Sequence, residues 1–361
     1  MISIVLGTRP EIIKMSPIIR ECERRGLDYY LLHTGQHYSF EMDGVFFEDL
    51  GLPEPRYNLR VGSGRHGEQT ARILAGVERV LDSDRPDVVL VEGDTNTVLG
   101  GALAAVKLGI PLGHVEAGLR SYDRRMPEEV NRVLVDHCAD LLFAPTEKAR
   151  GILLGEGLDG EKIFVTGNTI VDAVHQNLEL AGKRLGVLGE LGVDPGGYFL
   201  ATVHRQENVD DEERFRGIME GLGAVHEEFG LPVLYPIHPR SRGRLKDFGI
   251  EPEGVEIVES LDYLGFLMLE SKARLVLTDS GGVQEEACIL GVPCVTLRDN
   301  TERPETLEVG SNLLAGTDPG SIVERVEFML KKHDGWMNPF GNGRAGERII
   351  EILRGKLCLD V

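Results

Sequence analysis

The segment from His114 to Arg132, HVEAGLRSYDRRMPEEVNR, sets Glu116, Glu128 and Glu129 among Arg120, Arg124, Arg125 and Arg132, and it begins inside the apolar run IPLGHV. Carboxylates of shifted acidity move protons and arginines hold anionic oxygens, so the pattern suits acid-base chemistry on an anionic substrate. A solvated charged loop has the same composition, and residues elsewhere in the chain must decide between the two. Asp94 ends DVVLVEGD as Glu116 ends PLGHVE, on what read as neighbouring strands facing one cleft. Glu128 follows Pro127 at a helix start, where the dipole favours a carboxylate, so capping is its simpler role. Arg132 comes one turn later on the same face.

Other short segments carry polar groups of equal interest. GTRPEIIK puts Arg9 in a turn and Lys14 one turn into the following helix, and free backbone N–H groups with two cations suit a phosphate. LTDSGGVQEEA reads as a strand, then Ser280, Gly281 and Gly282, then a helix. The glycines allow backbone amides to approach a diphosphate closely, and Glu286, one turn inside, is placed to accept from ribose hydroxyls. A tight turn with a capped helix is the plainer reading of that segment. His204 in TVHRQEN and His238 in YPIHPR each end a run that reads as a strand. No cluster has zinc spacing and single acids at strand ends fit no metal cage, so no metal is expected. GSGRHG, Gly62 to Gly67, matches a dinucleotide fingerprint, but YNLRV before it is a poor central strand and lies late in its domain.

These residues need rigid elements beneath them. Apolar β-branched runs such as ISIVLG, DVVLVEGD, LLFAPT, YFLATVH and LVLTDSGG alternate with amphipathic stretches such as EIIKMSPIIRECERRG and EEVNRVLVDHCAD. That rhythm implies parallel βαβ units. It breaks between residues 184 and 197, RLGVLGELGVDPGG, which reads as a linker joining two domains near residue 190. The fold class expected is therefore α/β, two Rossmann-like open parallel-sheet domains facing a central cleft. The domains run over 1–183 and 184–342, and the segment 343–361 follows. In such sheets ligands bind beyond the carboxyl ends of the strands, which is where all the residues above lie.

Bulk properties limit the partners. A length of 361 residues exceeds what one core usually supports, in line with two domains. A formal charge of -20 argues against a nucleic-acid partner, so an anionic ligand would depend on local arginines and helix N-termini. No apolar run approaches the roughly 18 residues a membrane span needs, and MISIVLGTRP shows no basic leader, so no membrane association and a cytoplasmic location are expected. Cys22, Cys138, Cys288, Cys294 and Cys358 lack CxxC spacing and read as small buried hydrophobes.

GTRPEIIK, GDTNT, HVEAGLRS, MPEEVNR, VTGN, TVHRQEN, LTDSGGVQEEA and LRDNTERPET, in this order along nearly the whole chain, together resemble the non-hydrolysing UDP-N-acetylglucosamine 2-epimerases. The resemblance implies the glycosyltransferase-B architecture, a homodimer, and a C-terminal helix, here about Gly343 to Leu357, that returns to the first domain. It also implies interconversion of UDP-N-acetylglucosamine and UDP-N-acetylmannosamine. The C2 proton has no adjacent carbonyl and is not acidic, so the family route removes UDP across C1–C2 to leave a 2-acetamidoglucal. Protonation of the opposite face and return of UDP complete the inversion, with no redox cofactor.

On that resemblance Asp94, Glu116, Glu128 and His204 form the catalytic set. Glu116 and Glu128 take the two proton transfers, Asp94 positions or assists, and His204 supports the departing UDP. Arg9, Lys14 and Arg132 hold the diphosphate and sugar, with His238 also on the substrate side. Phe266 stacks on the base; Ser280, Gly281, Gly282 and Glu286 hold phosphate and ribose; and Arg303 closes the site. Some bacterial relatives bind a second UDP-N-acetylglucosamine as activator through a Gln-His pair, which Gln36 and His37 match, although Tyr38 and Ser39 depart from the bacterial pattern. Motifs in both halves lead to the expectation that the domains close around UDP. A hydrolysing relative, a glycosyltransferase of the same architecture, an oxidoreductase built on GSGRHG and a non-enzymatic nucleotide-sugar sensor are the alternative readings.

Overall fold

Thirteen short strands form two parallel sheets in a computed structural model that describes residues 1–36, 40–182, 186–332 and 335–357. Two compact units result, one of Met1–Gln176 with Phe340–Val361 and the other of Asn177–Pro339. In the first, the strands are β1 (Ile2–Leu6), β2 (Tyr29–His33), β3 (Tyr57–Asn58), β4 (Val88–Glu92), β5 (Leu112–Val115), β6 (Leu141–Ala144) and β7 (Ile163–Val165). Their order is β3-β2-β1-β4-β5-β6-β7. In the second, β8 (Phe199–Thr202), β9 (Val233–Pro236), β10 (Val255–Val258), β11 (Leu275–Thr278), β12 (Cys294–Thr296) and β13 (Asn312–Leu314) lie in the order β10-β9-β8-β11-β12-β13.

The strands read as continuous apolar runs because both faces of each sheet are covered. ISIVL of β1 is buried at every position. In β8, Phe199 and Ala201 enter one core cluster with Val233, Leu275 and Phe215, while Leu200 enters another with Leu234, Val276 and Leu269. Successive side chains point to opposite faces, so two cores follow from one run. Each sheet thus has the two-faced, helix-connected form expected from the alternating sequence rhythm.

Strand order reverses between β1 and β4 in the first unit and between β8 and β11 in the second. Chain leaves the two strands of each pair toward opposite sides, opening a crevice at their carboxyl ends. Arg9 and Asp94 follow β1 and β4, and His204 and Ser280 follow β8 and β11. GSGRHG follows β3, a two-residue strand at the sheet edge, rather than a strand at the reversal.

The C-terminal helix Ala345–Leu357 belongs to the first unit. Both carboxylate oxygens of Asp172 accept from its first amides, Ala345 N at 3.1 Å and Gly346 N at 2.9 Å. A Cβ at Gly346 would stand 3.1 Å from the backbone of Pro17, so the glycine lets this helix approach the helix Arg9–Arg25. Cys22, Cys288 and Cys294 are buried and Cys138 is partly so, while Cys358 lies outside the described residues. Among the described residues no helix is long and apolar enough to cross a membrane.

Candidate active site

At the carboxyl ends of β1, β4 and β5, one lysine meets buried acids. The helix Arg9–Arg25 starts two residues beyond β1 and carries Lys14 over the neighbouring strand ends. Its ammonium lies 3.3 Å from Glu92 Oε1 and contacts Glu116 Oε2. The register that pairs Glu92 with Val115 places these two carboxyls side by side. Burial pushes Glu92 well above the usual carboxyl range; Lys14 works against this and Glu116 adds to it. Glu11, 2% exposed, accepts from Gly7 N at 2.6 Å, from Thr8 N at 3.0 Å and from the Thr95 hydroxyl. Burial outweighs these bonds and raises its pKa to about 7. Carboxyls that hold protons near neutrality, beside a cation, can give and take protons in one reaction cycle.

Glu116 itself has φ 68°, in the left-handed region that a side chain of its size disfavours. Backbone strain of this kind persists only where surrounding contacts over-determine it. Here Ala117 N donates to Phe143 O at 3.2 Å and Gly118 N to Asp136 Oδ2 at 3.2 Å, while Lys14 holds the side chain.

A second arm approaches from the helix Pro127–Cys138. Arg132 Nη2 lies 2.5 Å from Asp94 Oδ2, and Nη1 lies 3.0 Å from Glu129 Oε2. Glu129 also accepts from Ser121 N, Ser121 Oγ and Tyr122 N at 2.8, 3.0 and 3.1 Å. Burial works to raise the Glu129 pKa, but those bonds and Arg132 outweigh it and hold it below the usual range. Asn131 Nδ2 donates to the Asp94 carbonyl at 2.8 Å, so the helix grips the Asp94 turn twice. Glu128 is half-buried in the first turn of the same helix. The charged run is thus divided by function in the fold. Arg132 and Glu129 reach Asp94, Arg120 is buried against Asp136 and Glu156, and Arg125 pairs with Asp123 in solvent.

The second unit presents a different set. His204 and Arg205 follow β8, and their amides donate to the wholly buried Asp279, His204 N at 3.1 Å and Arg205 N at 2.9 Å. His204 Nδ1 is 3.4 Å from Asp279 Oδ1. Loss of solvent around the ring lowers the His204 pKa; Asp279 opposes this, and Arg205 and His238 add to it. The ring remains 47% exposed, so water screens much of that effect. His238 caps the helix Pro239–Asp247, its Nδ1 accepting from Arg240 N at 3.2 Å, which leaves Nε2 for a ligand.

Ser280 precedes the helix Gly281–Leu290 without capping it through its side chain. A Cβ at Gly282 would meet nothing nearer than Ser280 Oγ at 4.0 Å, so the first amides open to a ligand. Glu286, on the same helix, accepts from the Tyr263 hydroxyl at 3.1 Å. Phe266 packs on the cluster of Leu269, Ala287 and Val292. Arg303 Nε lies 2.9 Å from Glu285 Oε1.

Of the residues singled out in the sequence, Asp94, Glu116, His204, His238 and Ser280 follow strand ends, while Lys14, Glu128, Arg132, Phe266 and Glu286 lie on helices; Lys14 pairs with Glu116 and Arg132 with Asp94. Gln36 is buried, its side-chain oxygen accepting from Thr97 N at 2.9 Å and Thr97 Oγ1 at 2.8 Å; His37 lies outside the described residues. Three groups escaped the sequence reading. Glu11 had a signal, the T-x-x-E spacing of Thr8 and Glu11. Glu92 and Asp279 had a weaker one, an acid closing an apolar strand. Among the described residues no group of His, Cys, Asp and Glu could hold a metal ion.

Comparison with known proteins gives one consistent result. The family model of UDP-N-acetylglucosamine 2-epimerase matches residues 20–354. A UDP-N-acetylglucosamine 2-epimerase of Methanocaldococcus jannaschii is 56% identical over 360 residues, covering 98% of each chain. A crystal structure of the Methanocaldococcus jannaschii UDP-GlcNAc 2-epimerase in complex with UDP-GlcNAc and UDP superposes with a TM-score of 0.88, covering 98% of this chain and 99% of that one. The Neisseria meningitidis UDP-GlcNAc 2-epimerase bound to UDP-GlcNAc, 34% identical, superposes at 0.89, covering 98% of this chain and 100% of that one.

Proposed function

The chain belongs to the UDP-N-acetylglucosamine 2-epimerase family, and from that premise we propose that it interconverts UDP-N-acetylglucosamine and UDP-N-acetylmannosamine by loss of UDP across C1–C2 to a 2-acetamidoglucal and its re-addition. The observation that carries the reading is the set of buried carboxyls around Lys14 at the ends of β1, β4 and β5. A C2 proton that is not acidic needs a strong, desolvated base, and return to the opposite face needs a second group that still holds a proton. Glu116 and Glu128 serve as the two proton-transfer groups. Asp94, fixed by Arg132 and Asn131, orients the sugar.

Departure of UDP concentrates negative charge on the diphosphate. The amides of Gly281 and Gly282, with Ser280, receive it at the N-terminus of their helix, and Arg9, Arg303 and His238 supply further donors. His204, backed by Asp279, donates to the leaving oxygen. Glu286 and Phe266 take the ribose and the base. No step in this route calls for a redox cofactor or a metal.

The same reading includes a homodimer in the cytoplasm and a second UDP-N-acetylglucosamine acting as activator beside Gln36 and His37. Support comes from the resemblance of the Gln-His pair, and initial rates that depend sigmoidally on UDP-N-acetylglucosamine are the expected result.

Proton NMR of UDP-N-acetylglucosamine with the purified chain in D2O tests the proposal. UDP-N-acetylmannosamine carrying deuterium at C2 is expected. Free N-acetylmannosamine with UDP would instead establish the hydrolysing reaction, and turnover only with an added acceptor would establish a transferase.

A further inference from the structure

Beneath the two strand-end turns that carry Asp94 and Glu116 lies a second charged set that the reaction does not touch. His114, the third residue of β5, is wholly buried, and each of its ring nitrogens faces an acceptor. Nδ1 is 2.7 Å from Asp136 Oδ1, and Nε2 is 2.9 Å from the carbonyl of Gly93. A carboxylate and a carbonyl cannot donate, so a hydrogen bond at each nitrogen requires a proton on each. Asp136, also wholly buried, uses its other oxygen to accept from Gly118 N at 3.2 Å and from Arg120 Nη1 at 2.7 Å. Arg120 in turn grips Glu156 by two bonds of 2.7 Å.

The buried guanidinium of Arg120, its side chain 1% exposed, joins the buried Asp136 to Glu156 at the surface. Another titratable neighbour among the described residues is His137, 43% exposed and 3.9 Å from Glu156, with its Nδ1 already 2.9 Å from Val133 O. Burial works to raise the Asp136 pKa, but His114 and then Arg120 outweigh it, so the carboxylate stays ionised.

We propose that His114 and Asp136 are positioning residues of the acid-base centre: an imidazolium-carboxylate clamp that fixes the turn bearing Asp94 against the turn bearing Glu116. The ring holds the carbonyl of Gly93, one residue before Asp94. The carboxylate holds the amide of Gly118, two residues after Glu116, and so sustains the left-handed backbone at Glu116. The group that orients the sugar and one of the groups that move its proton are thereby set from a single rigid pair that itself never meets substrate. This inference rests on the reading that Asp94 and Glu116 act on the sugar.

The test has two arms. In the first, nitrogen-15 NMR of the full wild-type chain at neutral pH reads the ring directly, the His114 signal being assigned by its loss in His114→Gln. Protonated-type shifts at both ring nitrogens are expected; a bare nitrogen at either position overturns the clamp. In the second, Asp136→Asn is assayed for epimerisation with its folded fraction measured by thermal melting. A fall in kcat of about 100-fold per folded molecule with KM within about threefold is expected, since small misplacements of reacting groups cost that much. A folded variant whose kcat stays within about twofold of wild type would make the pair merely structural and overturn the inference. If Asp136→Asn does not fold, the wild-type spectrum decides. If the wild-type chain epimerises no UDP-sugar, the proposed function fails by that result, and the spectrum still decides whether the charged ring exists.

Discussion

Nη2 of Arg132 lies 2.5 Å from Oδ2 of Asp94, although the two residues are 38 positions apart. The pair couples the turn after β4 to the helix Pro127–Cys138, and the second arm of the guanidinium, on Glu129, keeps the fork from rotating. Asp94→Asn is expected to lower kcat by about 100-fold, the cost of a small misplacement of the reacting groups. Arg132→Lys cannot span both carboxylates and should lose activity as well, despite conserving charge. Steady-state rates for the two variants check this, and near-wild-type turnover in Asp94→Asn would remove Asp94 from the site.

Lys14 stands between Glu92 and Glu116, with all three side chains largely buried. Lys14→Met leaves two adjacent acids without their cation, which costs about 3–5 kcal/mol for a broken buried pair. Adding Glu92→Gln removes the second acid beside Glu116. The double variant is therefore expected to regain part of that loss, with a coupling of about 1–3 kcal/mol. Urea titration of the four proteins of the cycle gives the number, and strict additivity would contradict the geometry.

The pKa of Glu11 near 7 makes a prediction about pH. In the unfolded chain this carboxyl titrates near its ordinary 4.5, so between about 4.5 and about 7 the folded state holds a proton the unfolded state has lost. Stability contributed at this residue must therefore fall as pH rises through that window and level off above it. Glu11→Gln should flatten the curve, and the wild-type-minus-variant difference should change by roughly 3 kcal/mol across the window. Denaturation at pH 4.5, 6 and 8 measures it; a difference that does not vary with pH would contradict the burial.

Gly282 separates folding from ligand binding. A side chain there meets open space, so Gly282→Val should fold with a change within about 1 kcal/mol. The same side chain would stand over the helix amides and obstruct a diphosphate. Calorimetry is expected to show UDP affinity reduced by at least about tenfold, and unaltered affinity would move the diphosphate elsewhere.

Local patterns in the chain carried much of this. Strand and helix positions follow from the period of apolar residues, as in EIIKMSPIIRECERRG and EEVNRVLVDHCAD, which fall in the helices Arg9–Arg25 and Pro127–Cys138, and LVLTDSGG, whose strand is Leu275–Thr278. Those are short-range matters of turn chemistry and burial pattern. The gathering of polar residues at strand ends was legible for the same reason, since a parallel sheet puts all its carboxyl ends on one edge.

What the linear pattern determined by itself is the alternating α/β architecture, the family, and the gathering of polar residues at the strand ends. What only the tertiary structure decided is how those charges are paired. Arg120, Arg125 and Arg132 look alike in the sequence, yet one is buried on Asp136, one is solvated beside Asp123 and one reaches Asp94. Glu11 and Glu92 became proton-holding groups only because folding buried them. The acidity of a carboxyl and the partner of an arginine depend on desolvation and on distances across the chain, and neither is a property of neighbours in sequence.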